Sequence, residues 1–139
     1  MDPRGSRNIG ILIVEDNPGD VRLIQEILRE AQVHHTLTVA EDGEEALNIL
    51  QKKGKFAGAA YPNLILLDLN LPKKKGLEVL REIKRDAQLK GIPVVILTSS
   101  KDEEDIFAGY DLDVNAYVTK PVNFDQFLNA VNAIVKILP

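Results

Sequence analysis

Acidic side chains follow two of the most apolar segments of the chain. Glu15 and Asp16 come directly after residues 9–14, and Asp68 comes directly after residues 64–67. Carboxylates packed together repel one another unless a cation lies between them. An all-oxygen site of this kind suits Mg²⁺, which prefers six oxygen ligands and usually takes one or two carboxylates. Any one of these acids alone is better explained as a polar cap, but three that converge predict a magnesium site.

Hydroxyl groups and a lysine follow two further apolar segments. Thr98 and Ser99 come after residues 93–97, and Lys120 comes after residues 116–118. A metal ion, hydroxyls, a lysine and a carboxylate together suit a transferred phosphoryl group. The carboxylate attacks phosphorus, while the metal and the lysine neutralise charge on the phosphoryl oxygens. The pattern therefore predicts phosphoryl chemistry, if the fold brings these segments to one place.

Five short apolar runs alternate with five helical stretches, and this alternation predicts how the groups are positioned. The predicted strands are residues 9–14, 36–39, 64–67, 93–97 and 116–118. The first, third and fourth are continuously apolar, as strands buried on both faces are, whereas the second alternates threonine with aliphatic residues, which suits an edge. The predicted class is α/β: a (βα)5 doubly wound, parallel five-stranded sheet with the flavodoxin-like order 2-1-3-4-5. Ligands of such sheets bind at the carboxyl ends of the strands where the order reverses, here between strands one and three.

The helix boundaries follow from capping residues. Asn17 is predicted to cap the first helix and Asp42 the second, with Gly54 ending the second. The acidic residues 102–105 suit the start of a fourth helix, where carboxylates interact favourably with the helix dipole. A fifth helix is predicted around Phe124, and residues 53–62 are expected to form a long loop.

Composition limits the class of protein. The chain has 139 residues, no cysteine and a net charge of −4, which exclude disulfides and thiolate metal sites and argue against a nucleic-acid-binding protein. No apolar run is long enough for a membrane span, and the N-terminus lacks a secretory signal. We expect a cytoplasmic protein with a flexible segment at residues 1–8, one domain at residues 9–138 and no output domain.

Two charged motifs have simpler explanations. His34 and His35 precede the second strand without a metal-ligand spacing, and we interpret them as part of a solvated turn. The basic run at residues 73–75 is interpreted as a solvated loop, with docking of an acidic kinase surface as the alternative.

The strand-end motifs as a set resemble the receiver domain of two-component response regulators. The resemblance extends from Ile9 to about Leu138. Segments 13–17, 68–72 and 103–106 are similar to stand-alone receivers that partner phytochrome-type and related histidine kinases. The matching residues are Glu15, Asp16, Asp68 within the sequence LLDLNLP, Gly76, Thr98 and the pair Lys120-Pro121.

The resemblance implies a role for each position. Asp68 is the implied phosphoacceptor, and Mg²⁺, with Mn²⁺ as a substitute, is implied to be held by Glu15, Asp16, Asp68 and the backbone carbonyl of Asn70. Thr98, Ser99 and Lys120 are the implied phosphoryl-binding residues. Thr98 and Tyr117 are implied to form a coupled switch pair, and the Lys120-Pro121 bond is implied to be cis.

The implied function is that of a stand-alone response regulator phosphorylated by a sensor histidine kinase. Its only chemistry would be self-phosphorylation and slow autodephosphorylation, and its output would be partner binding, including homodimerisation, through the face formed by helix four, strand five and helix five. Ile106, Phe107, Tyr110 and Phe124 are the apolar contacts expected there.

Three alternatives remain at this point. A small phosphohydrolase with an aspartyl nucleophile needs a second acid two residues later, where this chain has Asn70. A phosphorylation-independent receiver-like scaffold would be expected to have lost Asp68, Lys120 or the metal acids. A flavin carrier would need a hydroxyl-rich phosphate loop after strand one.

Two residues depart from the family pattern. Glu15 stands where an aspartate is common, which suggests a water-mediated metal contact. Lys75 stands where an acid commonly precedes the glycine.

Overall fold

The computed structural model describes residues 8–99 and 114–138, which form a five-stranded parallel sheet in the order β2-β1-β3-β4-β5. The predicted doubly wound fold and its strand order are confirmed. The strands are β1 (Ile9–Val14), β2 (His35–Ala40), β3 (Leu64–Asp68), β4 (Val94–Thr98) and β5 (Ala116–Thr119). The described helices are α1 (Pro18–Glu30), α2 (Gly43–Leu50), α3 (Gly76–Arg85) and α4 (Phe124–Val135), and α4 is the fifth helix of the sequence prediction.

The helix predicted to start at residues 102–105 lies outside the described residues, as do Ile106, Phe107 and Tyr110. Phe124, the fourth apolar contact expected on that face, is described and is exposed at the start of α4.

The central strands are apolar on both sides because helices cover both faces of the sheet. Every residue of β3 and of β4 is buried. On one face, the even-numbered side chains of β1 and β4 pack with α2 and α3. On the other face, the odd-numbered side chains of the same strands pack with α1 and α4. This two-sided burial explains why the first, third and fourth strands are continuous apolar runs.

The predicted starts of α1 and α2 are confirmed, and one predicted helix end is wrong. The side chain of Asn17 accepts hydrogen bonds at the start of α1, and that of Asp42 accepts one from the Glu45 N–H at the start of α2. Gly54 does not end α2, because the helix stops at Leu50. Lys52 adopts the left-handed conformation (φ 56°) that terminates the helix, and Gly54 instead begins a single 3-10 turn.

Candidate functional site

The carboxyl ends of β1 and β3 bring three acids into one crevice. One carboxylate oxygen from each of Glu15, Asp16 and Asp68 lies within 4.8 Å of the other two. Glu15 and Asp68 are buried, whereas Asp16 is exposed at the mouth of the crevice. The register explains the proximity, because Val14 pairs with Leu67 and the next residue of each strand faces the same edge. The convergence expected from the sequence is therefore present.

Lys120 crosses the crevice from β5 and contacts both buried acids. Its Nζ lies 2.5 Å from Glu15 Oε1 and 3.2 Å from Asp68 Oδ2. The Lys120 backbone N–H donates to the Thr98 carbonyl at 2.6 Å, which ties the end of β5 to the end of β4. Only 16% of the Lys120 side chain and 5% of the Asp68 side chain are exposed.

A fourth carboxylate, which the sequence analysis missed, also contacts this lysine. Asp20 Oδ2 lies 3.1 Å from Lys120 Nζ. Asp20 lies in the first turn of α1, and its backbone N–H donates to the Asn17 side chain at 3.2 Å. The signal was present in the sequence, because the first turn of a helix that follows a strand faces the same edge of the sheet as the strand end. Lys120 therefore offers its three N–H donors to three carboxylates.

The crevice holds more negative charge than its lysine balances. Burial, followed by the hydrogen bond and charge of Asp68, raises the pKa of Glu15 from its ordinary value of 4.5 to about 7, against the lowering effect of Lys120. Burial alone would lower the pKa of Lys120. The hydrogen bond to Glu15 and the charges of Asp68 and Glu15 outweigh burial, so the lysine pKa is raised and the ammonium stays charged.

These residues fit a hard divalent cation. The three clustered acids supply only oxygen ligands, and no histidine lies among them. An oxygen-only set of two or three carboxylates is the chemistry that Mg²⁺ or Mn²⁺ takes. Burial is the main cause of the raised Glu15 pKa, and a divalent ion would offset the charge of Asp68, which adds to it.

Backbone groups of the loop after β3 help to position Asp68. The Asn70 N–H donates to Asp68 Oδ1 at 3.1 Å, and the Gly76 N–H donates to the Leu69 carbonyl at 3.2 Å. A Cβ at Gly76 would lie 2.5 Å from the Asp68 carbonyl oxygen and 2.8 Å from the Leu69 Cα. Only glycine allows this approach, which places α3 directly behind Asp68.

Thr98 lies at the end of β4, beside the crevice, and is fully buried. Ser99 follows it and is exposed. Tyr117 pairs with Ile96 in the register, and Thr119 pairs with Thr98, so Thr98 and Tyr117 lie on the same face of the sheet. Tyr117 is half-buried and packs against the cluster beneath α2 and α3. The peptide bond between Lys120 and Pro121 is cis, as the resemblance implied.

The basic run is partly engaged in ion pairs within the domain. Lys73 Nζ lies 3.6 Å from Asp42 Oδ2, and Lys74 Nζ lies 3.0 Å from Glu82 Oε2. These pairs join the loop after β3 to α2 and α3, so two of the three lysines have a structural role that the sequence did not indicate.

The chain is similar to known signalling proteins. A family model described as the response regulator receiver domain matches residues 11–132. The response regulator Rcp1 of Synechocystis sp. (strain ATCC 27184 / PCC 6803 / Kazusa) is 49% identical over 124 residues, which cover 89% of this chain and 84% of Rcp1. Within the described part of the chain, no helix has the length and apolarity that crossing a membrane requires.

Two solved structures match along most of their length. The phosphorylated cyanobacterial phytochrome response regulator RcpA is 50% identical, with a TM-score of 0.80 over 95% of this chain and 94% of RcpA. The Mn²⁺-bound form of Rcp1 is 46% identical, with a TM-score of 0.79 over 94% of this chain and 99% of Rcp1.

Proposed function

The chain belongs to the response regulator receiver domain family, and on that premise we propose that it accepts a phosphoryl group from a histidine kinase on Asp68. The observation that supports this most is the position of Asp68. Its carboxylate lies 3.2 Å from the Lys120 ammonium and within 4.8 Å of two further carboxylates that suit a divalent ion. Two cationic groups beside one carboxylate are what a phosphoryl group on that carboxylate requires.

The proposed transfer is a simple displacement. An Asp68 carboxylate oxygen attacks the phosphorus of a phosphohistidine, the new O–P bond forms, and the P–N bond breaks with its electron pair returning to the imidazole nitrogen. Lys120 pairs with one phosphoryl oxygen. The hydroxyls of Thr98 and Ser99, at the end of the neighbouring strand, are proposed to donate to the others.

Glu15, Asp16, Asp68 and the backbone carbonyl of Asn70 are the proposed ligands of Mg²⁺. When bound, the ion neutralises charge on the phosphoryl oxygens and on the clustered acids. The Mn²⁺-bound structure of the relative Rcp1 supports a divalent site in this family and Mn²⁺ as a substitute.

The proposed output is a change of partner binding. Thr98 is fully buried beside the crevice, and Tyr117 lies on the same face of the sheet one strand away. When a phosphoryl oxygen accepts a hydrogen bond from the Thr98 hydroxyl, the end of β4 is drawn inward. The Tyr117 ring then fills the space that Thr98 leaves. The face that includes β5 and α4 changes with it, and this is the proposed site of homodimerisation or kinase contact.

A phytochrome-type histidine kinase is the proposed partner, because RcpA, a similar protein, is a phytochrome response regulator. As a receiver domain, the chain is not a classical enzyme. The phosphohydrolase alternative is disfavoured because Asn70, two residues after Asp68, carries an amide that cannot act as a general acid or base.

Transfer from a kinase tests the proposal. A phytochrome-type histidine kinase, autophosphorylated with radiolabelled ATP, is mixed with the protein in Mg²⁺. We expect label on the wild type and on Asp86→Asn, which changes an aspartate at the end of α3, but not on Asp68→Asn. Equal labelling of Asp68→Asn would overturn the assignment of the phosphoacceptor.

A further inference from the structure

The second strand forms an open edge of the sheet. In the order β2-β1-β3-β4-β5, β2 has β1 as its neighbour on one side only. The Ile9 N–H donates to the His34 carbonyl at 3.0 Å, and the Glu15 N–H donates to the Ala40 carbonyl at 2.9 Å. Because successive residues of a strand direct their backbone groups to opposite sides, the even-numbered residues of β2 bond β1. The N–H and C=O groups of His35, Leu37, Val39 and Glu41 therefore face away from the sheet.

These outward groups have no hydrogen-bond partner in residues 8–99 or 114–138. The helices do not close over them either, because a groove lies on each side of β2. A groove of about 910 Å³ lies between α1 and the start of β2, lined by residues that include Arg29, His34 and His35. A second groove of about 550 Å³ lies on the opposite face, lined by residues that include Thr36 and Thr38.

Proteins usually protect such an edge with charged side chains, proline or a bulge. The six residues of β2 are His-Thr-Leu-Thr-Val-Ala, and they include no lysine, no acid and no proline. Their register with β1 is unbroken from His35 to Ala40, so the strand has no bulge against β1. The edge is thus regular, has no formally charged residue at pH 7, and is long enough to pair with another strand.

The two ends of this strand carry opposite charge. Two arginines, Arg22 and Arg29, and one acid, Glu26, line the groove beside the first residue, His35, and Arg29 lies 3.9 Å from Glu26, so this end has a net positive charge. Glu41 directly follows the last residue, is exposed, and has no ion-pair partner among the described residues. An antiparallel arrangement of two copies sets the basic end of each strand against the acidic end of the other.

The outward backbone groups select the register of such a pair. In an antiparallel ladder, two residues whose backbone N–H and C=O groups point toward the partner strand must lie opposite one another. With the two-fold axis at Thr38, His35 lies opposite Glu41 of the second copy and Leu37 lies opposite Val39 of the second copy. This register uses every outward group and also pairs the charged ends.

We propose that β2 is a dimerisation edge, through which two copies of this chain join their sheets by antiparallel β2–β2 pairing about Thr38. The pair makes one continuous ten-stranded sheet from the two five-stranded ones. The partner is a second copy because one edge supplies both the basic and the acidic end. The proposal does not depend on phosphorylation or on the face formed by β5 and α4.

Sedimentation of the full chain in EDTA, without a phosphoryl donor, tests this edge. We expect a dimer fraction that rises with concentration for the wild type and for Ala87→Lys, which adds the same charge at an exposed position after α3. Thr38→Lys places two ammonium groups opposite each other at the axis and should yield a monomer. Glu41→Lys should weaken the dimer by about tenfold or more, and combining it with His35→Glu should restore most of the loss.

Hydrogen exchange of the wild type keeps the test decisive if a variant fails to fold. The amides of Leu37 and Val39 should exchange more slowly as concentration rises, whereas exchange of the amides of α4 should not change with concentration. A wild type that stays monomeric up to about 100 μM would overturn the proposal. So would a dimer that Thr38→Lys leaves intact, or one whose Leu37 and Val39 amides exchange at the same rate at every concentration.

Discussion

Gly76 lies so close to the backbone of Asp68 that a side chain has no room between them. A Cβ at Gly76 would come within 2.5 Å of the Asp68 carbonyl oxygen, a distance that no side chain can accept without moving the backbone. The first turn of α3 therefore supports Asp68 from behind, while Lys120 and the Asn70 N–H contact its carboxylate from the front. The position of the proposed phosphoacceptor depends on a residue that has no functional group.

Gly76→Ala should displace Asp68 and destabilise the protein. Alanine normally stabilises a helix relative to glycine, but the clash with backbone atoms should cost about 1–3 kcal/mol instead. Urea unfolding measures this loss, and Mg²⁺ titration should show weaker binding. Gly91→Ala is the control, because a Cβ there meets nothing within 4 Å. A Gly76→Ala protein as stable as the control would contradict this role of Gly76.

Lys120→Met should destabilise the metal-free protein by about 3 kcal/mol, because Glu15 and Asp68 would be left buried without their cation. Mg²⁺ should restore more stability to this variant than it adds to the wild type, since the ion then compensates the same carboxylates. Urea unfolding in EDTA and in Mg²⁺ measures both effects. Lys136→Met, at the exposed end of α4, should change neither the stability in EDTA nor the stability gained from Mg²⁺. The prediction fails if Lys120→Met and Lys136→Met give the same two values.

Glu15 should make the metal-free protein less stable as the pH rises. Its pKa is about 7 in the folded protein against an ordinary 4.5, so the folded state binds more protons between these pH values. The stabilisation is complete below pH 4.5 and is lost as the pH rises through about 7. In EDTA, the free energy of unfolding of the wild type should fall, relative to Glu15→Gln, by up to about 3 kcal/mol across this range. If the free energies of unfolding of the two proteins changed in parallel with pH, the predicted contribution of Glu15 would be excluded.

The sequence predicts the sheet well because its signal is local. Two-sided burial makes β3 and β4 continuous apolar runs, and the carboxyl end of each strand is marked by the polar residue that follows. The side chains of Asn17 and Asp42 mark helix starts by the same local chemistry. The end of α2 was predicted wrongly, because Lys52 takes the left-handed conformation without the glycine that usually announces it.

The site was predicted in composition but not in its contacts. Glu15, Asp16 and Asp68 were identified from their positions at strand ends, and the structure places them together. The contact of Lys120 with Asp20 joins residues far apart in the chain, and the pairing of Lys73 with Asp42 does the same. Such contacts depend on how helices and loops pack on the sheet, which local patterns do not determine.

Thr98→Ala should separate phosphorylation from its output. The variant keeps Asp68, Lys120 and the clustered acids, so it should still accept phosphoryl from acetyl phosphate in Mg²⁺. It lacks the buried hydroxyl proposed to draw β4 inward, so phosphorylation should no longer change kinase affinity or phosphorylation-dependent dimerisation. Thr119→Ala, the register partner on β5, is the control. A Thr98→Ala protein that responds as fully as the wild type would rule this coupling out.

The phosphorylated residue can be identified directly. The protein is treated with acetyl phosphate in Mg²⁺, the acyl phosphate is trapped by borohydride reduction, and the modified peptide is sequenced by mass spectrometry. The account predicts modification at Asp68 alone, its loss when EDTA replaces Mg²⁺, and no transfer to Asp16 or Glu15 in the wild type. Modification at another residue in the wild type, or undiminished modification of Asp68 in EDTA, would contradict the central claim.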